Sequence, residues 1–352
     1  MTVNFSKDKF NLREKLKELE RPSVDKLITK DENGAYIDTI RGNTKLESIS
    51  SSVSDTAVDV FMYDTSKDSD GGAWRKRTTH TSWYNETLGT ATRGTRKEFP
   101  SVAVIVAETT KVTIYDGDDP DLPMWMVFNT TSGNLIGAGT LRGVTALNGI
   151  VVTPASAYTM ETRFISDYSL DWFTNQLYEY KGNIEQRNDT LGFRLIESYG
   201  IVNSASNDVA MTVLPNAPID SATGLPIPTI AVATAGGVSV IKDDGSIISS
   251  ASNTSYDIFE ISIFPSGELY HRQGSGSNEG VNYNFPYTRI SGVNLGTYSN
   301  SSTFWYATDG IGNNSSYLGN AGIAPNAITT PDSASLSIGD NRGLTFVDVN
   351  KQ

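Results

Sequence analysis

The chain has 352 residues, 38 % hydrophobic and 19 % charged, with 31 glycines, 13 prolines and no cysteine. That length can bury a sizeable core in one large domain or two smaller ones, and the missing cysteines exclude disulfide scaffolds and thiolate chemistry. There are 40 acidic and 28 basic side chains, unevenly spread: residues 1–30 carry +3 and the remainder −15, a body that repels phosphate backbones and so excludes nucleic acid as a partner.

The opening MTVNFSKDKFNLREKLKELERP lacks the apolar core of a signal peptide, and no run of ~18 apolar residues occurs in the chain. The expectation is a protein made and kept soluble in a cytoplasm, with no membrane partner. Within this opening, Asn11 is a candidate N-cap, and Phe10, Leu12, Leu16 and Leu19 recur at helical spacing before Pro22. A helix of about a dozen residues is marginal alone in water. Its apolar stripe therefore needs something to dock on, and Phe10, Leu12, Leu16 and Leu19 are the candidate partner-binding residues. Polar, Ser/Thr-rich sequence follows through Ser54. Residues 1–50 read as an attachment helix and linker, and 51–352 as the body.

From Val58 to Trp172 the sequence repeats approximately. DVFMYDTSKDSDGGAW (59–74) and KVTIYDGDDPDLPMW (111–125) each run as a strand ending in Tyr-Asp, then an acidic turn, then a tryptophan; RFISDYSLDW (163–172) is a weaker copy. Alternating β formers around acidic Gly/Pro-containing turns predict hairpins. Equivalent placement of Trp74, Trp125 and Trp172 predicts that all three are buried.

A second hairpin type is clearest in TIAVATAGGVSVIKDDGS (229–246), with similar runs at 101–117, 258–272 and 333–349. Small β units recurring at intervals of about 40–50 residues are the sign of propeller blades. The predicted fold is all-β, with β-propeller-like tandem blades behind a short N-terminal helical anchor; a pair of β-sandwich domains is the alternative. The last hairpin ends at Val349, so either an earlier strand completes the final blade or the natural product continues past Gln352.

Little in the sequence carries chemistry. The only histidines, His80 and His271, lie far apart, and with no cysteine beside them a structural zinc site is not expected. Neither a G-x-S-x-G elbow nor a histidine in a plausible partner segment is found. The glycine-rich GAGTLRG (137–143) and GSGSNEG (274–280) miss the phosphate-binding spacing and open no helix. No cofactor is expected. Two acidic turns could bind calcium, DTSKDSDGG (64–72) and the cluster Asp116, Asp118, Asp119 and Asp121, but neither has the full EF-hand pattern and solvated hairpin turns are the favoured reading. DSDGGAW (68–74) resembles the Asp-box of sialidases and other propellers, one residue short, and that box is structural. Trp83 and Trp305 stand outside the repeat and are the candidate glycan-stacking residues.

The blocks 59–129 and 207–246 resemble large structural proteins of marine and freshwater bacteriophages, especially those of cyanobacteria, and FNLREKLKELERPS (10–23) is similar to the opening of phage tail-fibre and related virion proteins. Together they cover about a third of the chain. The resemblance implies a viral protein located in the virion, a tail or tail-fibre component without catalytic activity. Its expected partners are other virion proteins through residues 1–50, further copies of itself, and a host-surface glycan in host attachment. In such proteins a lectin-like module often follows the propeller-like region; none is recognisable here, which favours a scaffold. The alternatives are a glycan-binding or glycan-cleaving propeller acting on the host surface, and a calcium-dependent lactonase-like propeller.

Overall fold

The computed structural model describes residues 56–129, 139–166, 168–181, 193–221, 223–250, 257–267 and 269–274, together with strands at 28–30, 36–38, 287–290, 304–305, 327–329, 335–340 and 343–348. The N-terminal strands β1 (Ile28–Lys30) and β2 (Tyr36–Asp38) pair antiparallel, inside the stretch that reads as linker. The predicted helix over Phe10 to Leu19 lies outside the described residues.

The body is all-β, as the sequence predicts, and its sheets follow one another along the chain. The first is β3 (Ala57–Asp64), β4 (Val102–Glu108), β5 (Lys111–Asp116) and β6 (Met124–Asn129). The second runs β7 (Thr145–Leu147), β8 (Ile150–Pro154), β9 (Thr159–Arg163), β10 (Tyr168–Phe173), β11 (Gln176–Lys181) and β12 (Phe193–Glu197). The third is β13 (Ser206–Thr212), β14 (Thr229–Thr234), β15 (Gly237–Ile241) and β16 (Ile247–Ser249). The fourth is β17 (Asp257–Ile263), β18 (Leu269–Gly274), β19 (Tyr287–Ile290) and β20 (Phe304–Trp305), and the fifth is β21 (Ala327–Thr329), β22 (Ser335–Asp340) and β23 (Gly343–Asp348). Within each sheet every strand pairs antiparallel with its neighbour in sequence, the blade-like meander. The leading strands of successive sheets lie against one another in chain order: β3 on β7, β7 on β13, β13 on β17 and β17 on β21.

This stacking explains the composition of the middle strands. A sheet covered on both faces cannot alternate apolar with polar residues, and VAVIVAE, TIAVAT and GVSVI (β4, β14 and β15) are buried along nearly their whole length. In β14, Ile230 and Val232 face a core shared with Ile150, Leu170 and Trp172 of the second sheet. Ala231 and Ala233 face the other way, into a core with Ile258, Ile261 and Ile263 of the fourth.

The repeat over 59–74 and 111–125 is corrected by the structure. Its two Tyr-Asp strands are β3 and β5 of one sheet, so they are not equivalent parts of two blades. Trp74 opens no strand; it sits on a 3-10 turn, Ala73–Arg77, within the long connection 65–101, whereas Trp125 lies in β6 and Trp172 in β10. The burial expected of the three does hold, with relative exposures of 0 %, 1 % and 3 %.

Candidate functional site

The connection between β3 and β4 folds back on its own sheet, closed by Thr65, whose N and Oγ1 both donate to Ser101 O at 2.9 Å. Its aromatic side chains build the core between the first two sheets. Phe99 is the centre, with ring centroids 4.9 Å from Trp125, 5.1 Å from Phe164 and 5.2 Å from Trp74. Trp83 sits on a single helical turn, Ser82–Asn85, packs on Trp125 at 5.3 Å and donates its Nε1 proton to Phe164 O. At 3 % exposure Trp83 offers no ring face to a sugar, which overturns its reading as a stacking residue. Trp305 lies in β20; its side chain is outside the described residues.

A buried arginine completes this core. Arg93 lies 4.6 Å from the Trp125 ring centroid, and its Nη1 and Nη2 donate to Trp125 O at 3.0 Å and Lys97 O at 2.9 Å. Backbone carbonyls and a ring face accept this guanidinium, which is how a wholly buried arginine is tolerated.

Asp68 is the polar hub. Its Oδ2 accepts from Tyr63 Oη at 2.6 Å and Trp74 Nε1 at 2.7 Å, and its Oδ1 from Asn148 N at 2.8 Å. The β7–β8 turn it holds is Asn148-Gly149, with φ of 52° and 73°, the left-handed pair that a two-residue hairpin requires. Burial lifts the Asp68 carboxyl above its ordinary value despite these donors, and neighbouring Asp70 adds to the rise. The Asp-box likeness therefore marks a fastening between two sheets.

The acidic cluster at 116–121 is also structural. Arg96 Nη1 lies 2.9 Å from Asp116 Oδ1 and 2.6 Å from Asp118 Oδ2, while Asp118 accepts from Ser101 N at 2.8 Å and Val102 N at 2.9 Å. Burial alone would raise Asp118, but these donors and Arg96 outweigh it and hold the carboxyl below the usual range. Asp119 caps Asp121 N at 2.8 Å. Two of the four proposed calcium ligands thus close on an arginine, and among the described residues no three His, Cys, Asp or Glu side chains converge as a metal site.

Beside the Asn148-Gly149 turn lies a small open cleft lined by Ile150, Arg163, Ile165, Asp220 and Leu225. Its guanidinium is engaged: Arg163 Nη2 lies 2.6 Å from Glu161 Oε1 and its Cζ 5.1 Å from the Tyr168 ring. Asn148 Nδ2 donates to Ser69 Oγ and Pro226 O. His80 is exposed in the 65–101 connection and His271 is buried in β18, so neither belongs to this cleft.

One arrangement went unread in the sequence. In β3, β13 and β17 the register against the next strand slips by one residue, at Val58, Asn207 and Phe259. Each slip is followed by an acid, Asp59, Asp208 or Glu260. Asp59 Oδ2 accepts from Val144 N, just ahead of β7, at 2.9 Å, and Asp208 Oδ2 from Ile261 N of β17 at 2.9 Å. Burial raises Asp59 to about 7; burial, with Glu260 and Asp59 nearby, raises Asp208 to about 8. The available signal was the triplet Asp-Val, Asp-Val and Glu-Ile at 59, 208 and 260, each at the start of an apolar run.

No family model matches the chain, and no curated protein does. Solved structures similar to it include Hsv2 of the yeast Kluyveromyces marxianus (8 % identity, TM-score 0.31, 70 % of this chain and 69 % of that one). Another is a chain of the S. cerevisiae assembly of Dbp5 with Nup159 and Gle1 (12 %, 0.30, 70 % and 59 %). A third belongs to a Chaetomium thermophilum Polycomb Repressive Complex 2 (9 %, 0.34, 80 % and 48 %). The chain thus spans about half to two thirds of the length of these chains.

Proposed function

We propose that this chain is a non-catalytic structural component of a phage virion, a tail or fibre scaffold that attaches through residues 1–50. The observation that carries the reading is how its most reactive-looking side chains are used. Asp68, Arg93, Arg96 and Asp118 hold the 65–101 connection to its sheet and to the neighbouring one through hydrogen bonds and an ion pair, the use of side chains that suits a spacer. The likeness of 10–23, 59–129 and 207–246 to phage virion proteins supplies the location, and the +3 N-terminal segment ahead of a −15 body suits docking on an acidic assembly surface. Other virion proteins and further copies of the chain are the proposed partners.

The test is to purify phage particles carrying an epitope-tagged chain and locate the tag by electron microscopy, beside a variant lacking residues 1–50. The expected result is label at a fixed position on the tail or fibre, lost in the deletion variant although that variant stays folded. Absence of the intact chain from particles, or turnover of a host glycan abolished by one carboxylate substitution, would overturn the proposal.

A further inference from the structure

The acids on the leading strands stand where one sheet meets the next. Each follows a one-residue slip in register, a β-bulge, and bulges re-aim side chains. For Asp59 and Asp208 the new direction carries a carboxylate across to a backbone N–H of the neighbouring leading element, Val144 and Ile261 respectively. We infer that Asp59 and Asp208 make the sheet-to-sheet junctions a proton-controlled latch, tight while these two acids are protonated and loosened when they ionise.

Burial favours the protonated form of each carboxyl and outweighs the N–H bonds it accepts, which favour the ionised form; acidic neighbours add to the rise at Asp208. Around Asp208, β17 contributes Glu260 and Asp257, and the neighbouring β18 contributes the buried His271. The segment before β7 contributes Arg142, whose Nη1 is taken up by Asn207 Oδ1 and Ser206 O. Around Asp59, β4 contributes Glu108, already bonded to Thr56 and Lys111. Strands β7, β8, β14 and β21 contain no ionisable residue. Thus among the described side chains the charges nearest Asp208 are mostly negative, and Arg142 is engaged with Asn207. An acid whose folded-state value is raised holds its proton more tightly when folded. Its stabilising contribution is complete below the ordinary carboxylate range and is lost as pH climbs through about 7 for Asp59 and about 8 for Asp208.

Global melting alone cannot isolate the latch, because Asp171, buried in β10 and held well above its ordinary value by burial, contributes pH dependence of the same sign. The decisive measurement is amide hydrogen exchange on the full chain between pH 5 and pH 9, read as protection factors at Val144 and Ile261. Protection at both is expected to fall across that range, by about tenfold for each unit of pH over which one state is charged and the other is not, while buried amides of β4 and β15 keep theirs. In D208N the Ile261 response should vanish and the Val144 response persist; D59N should show the reverse. If either variant fails to fold, the wild-type profiles at Val144 and Ile261 against β4 and β15 still decide. Protection that stays constant at both amides, or falls equally throughout the sheets, overturns the latch.

Discussion

The first and third sheets solve one problem, covering both faces of a four-stranded meander, with opposite materials. The first packs the large rings of Trp74, Trp83, Phe99 and Trp125, supplied mainly by a long excursion between β3 and β4 and fixed by buried polar bonds to Asp68 and Arg93. The third packs Ala231, Ala233, Val238 and Val240 on β14 and β15, which the two-residue turn 235–236 joins, and its hydroxyls pair locally, as Ser239 Oγ does with Ser249 Oγ at 2.8 Å. Large rings need few partners but exact polar termini. Small side chains need none, but they bring sheets so close that nothing can be added.

The widest separation between the two regions is expected from truncating a ring. Trp74→Ala removes a wholly buried side chain and one of the donors to Asp68, and should cost about 3–5 kcal/mol by chemical denaturation. If the loss is below about 1 kcal/mol, far under the usual cost of emptying such a site, the aromatic core is not what holds the connection. The third sheet should instead resist removal and fail on addition: Ala231→Leu, at 0 % exposure, should cost about 1–3 kcal/mol by overpacking. A neutral result there would mean the third and fourth sheets can separate.

A subtler probe is Asp68→Asn, which keeps the shape but swaps one acceptor oxygen for a donor. One of the bonds from Tyr63, Trp74 and Asn148 is then lost, at about 1–3 kcal/mol, and amide exchange should quicken at Asn148, across the sheet boundary, as well as locally. The smallest contrast uses two glycines of like conformation, Gly149 at φ +73° and Gly245 at φ +81°. Each alanine bears about 1–2 kcal/mol of left-handed strain. At Gly149 the new Cβ also meets the Trp74 ring and Ile165 at 3.2 Å, whereas at Gly245 nothing lies within 4 Å, so Gly149→Ala should lower the melting temperature further than Gly245→Ala.

The two regions were also unequally legible. Strands β4, β14 and β15 could be read directly, because a strand buried on both faces is a nearly unbroken apolar run and its turns fall on Thr-Thr, Ala-Gly or Asp-Asp-Gly; β5, β17 and β18 were legible as the partners of such hairpins. The aromatic region misled because the likeness of Tyr63-Asp64 to Tyr115-Asp116 suggests a short hairpin, while the chain spends residues 65–101 before β4. A one-turn helix such as Ser82–Asn85 has no period to detect, so Trp83 looked like a free surface ring. The acids at the bulges were illegible for a related reason. An Asp beside an apolar run reads as the solvent face, and only the slip in register turns it inward.

The strictly sequential strand order also fixes the timetable of assembly during synthesis. Ribosomes add about 5–20 residues per second, whereas hairpins close in about 1–10 μs, so the third sheet, whose partners all lie between Ser206 and Ser249, can pair as soon as it emerges. The first sheet cannot keep that pace. Strand β3 has no partner until β4 has appeared beyond residue 101, and the Asp68 acceptor waits further, for Asn148. The earliest-made part of the body is therefore the last of the early strands to become secure, and its aromatic connection is the segment a nascent-chain chaperone would meet first.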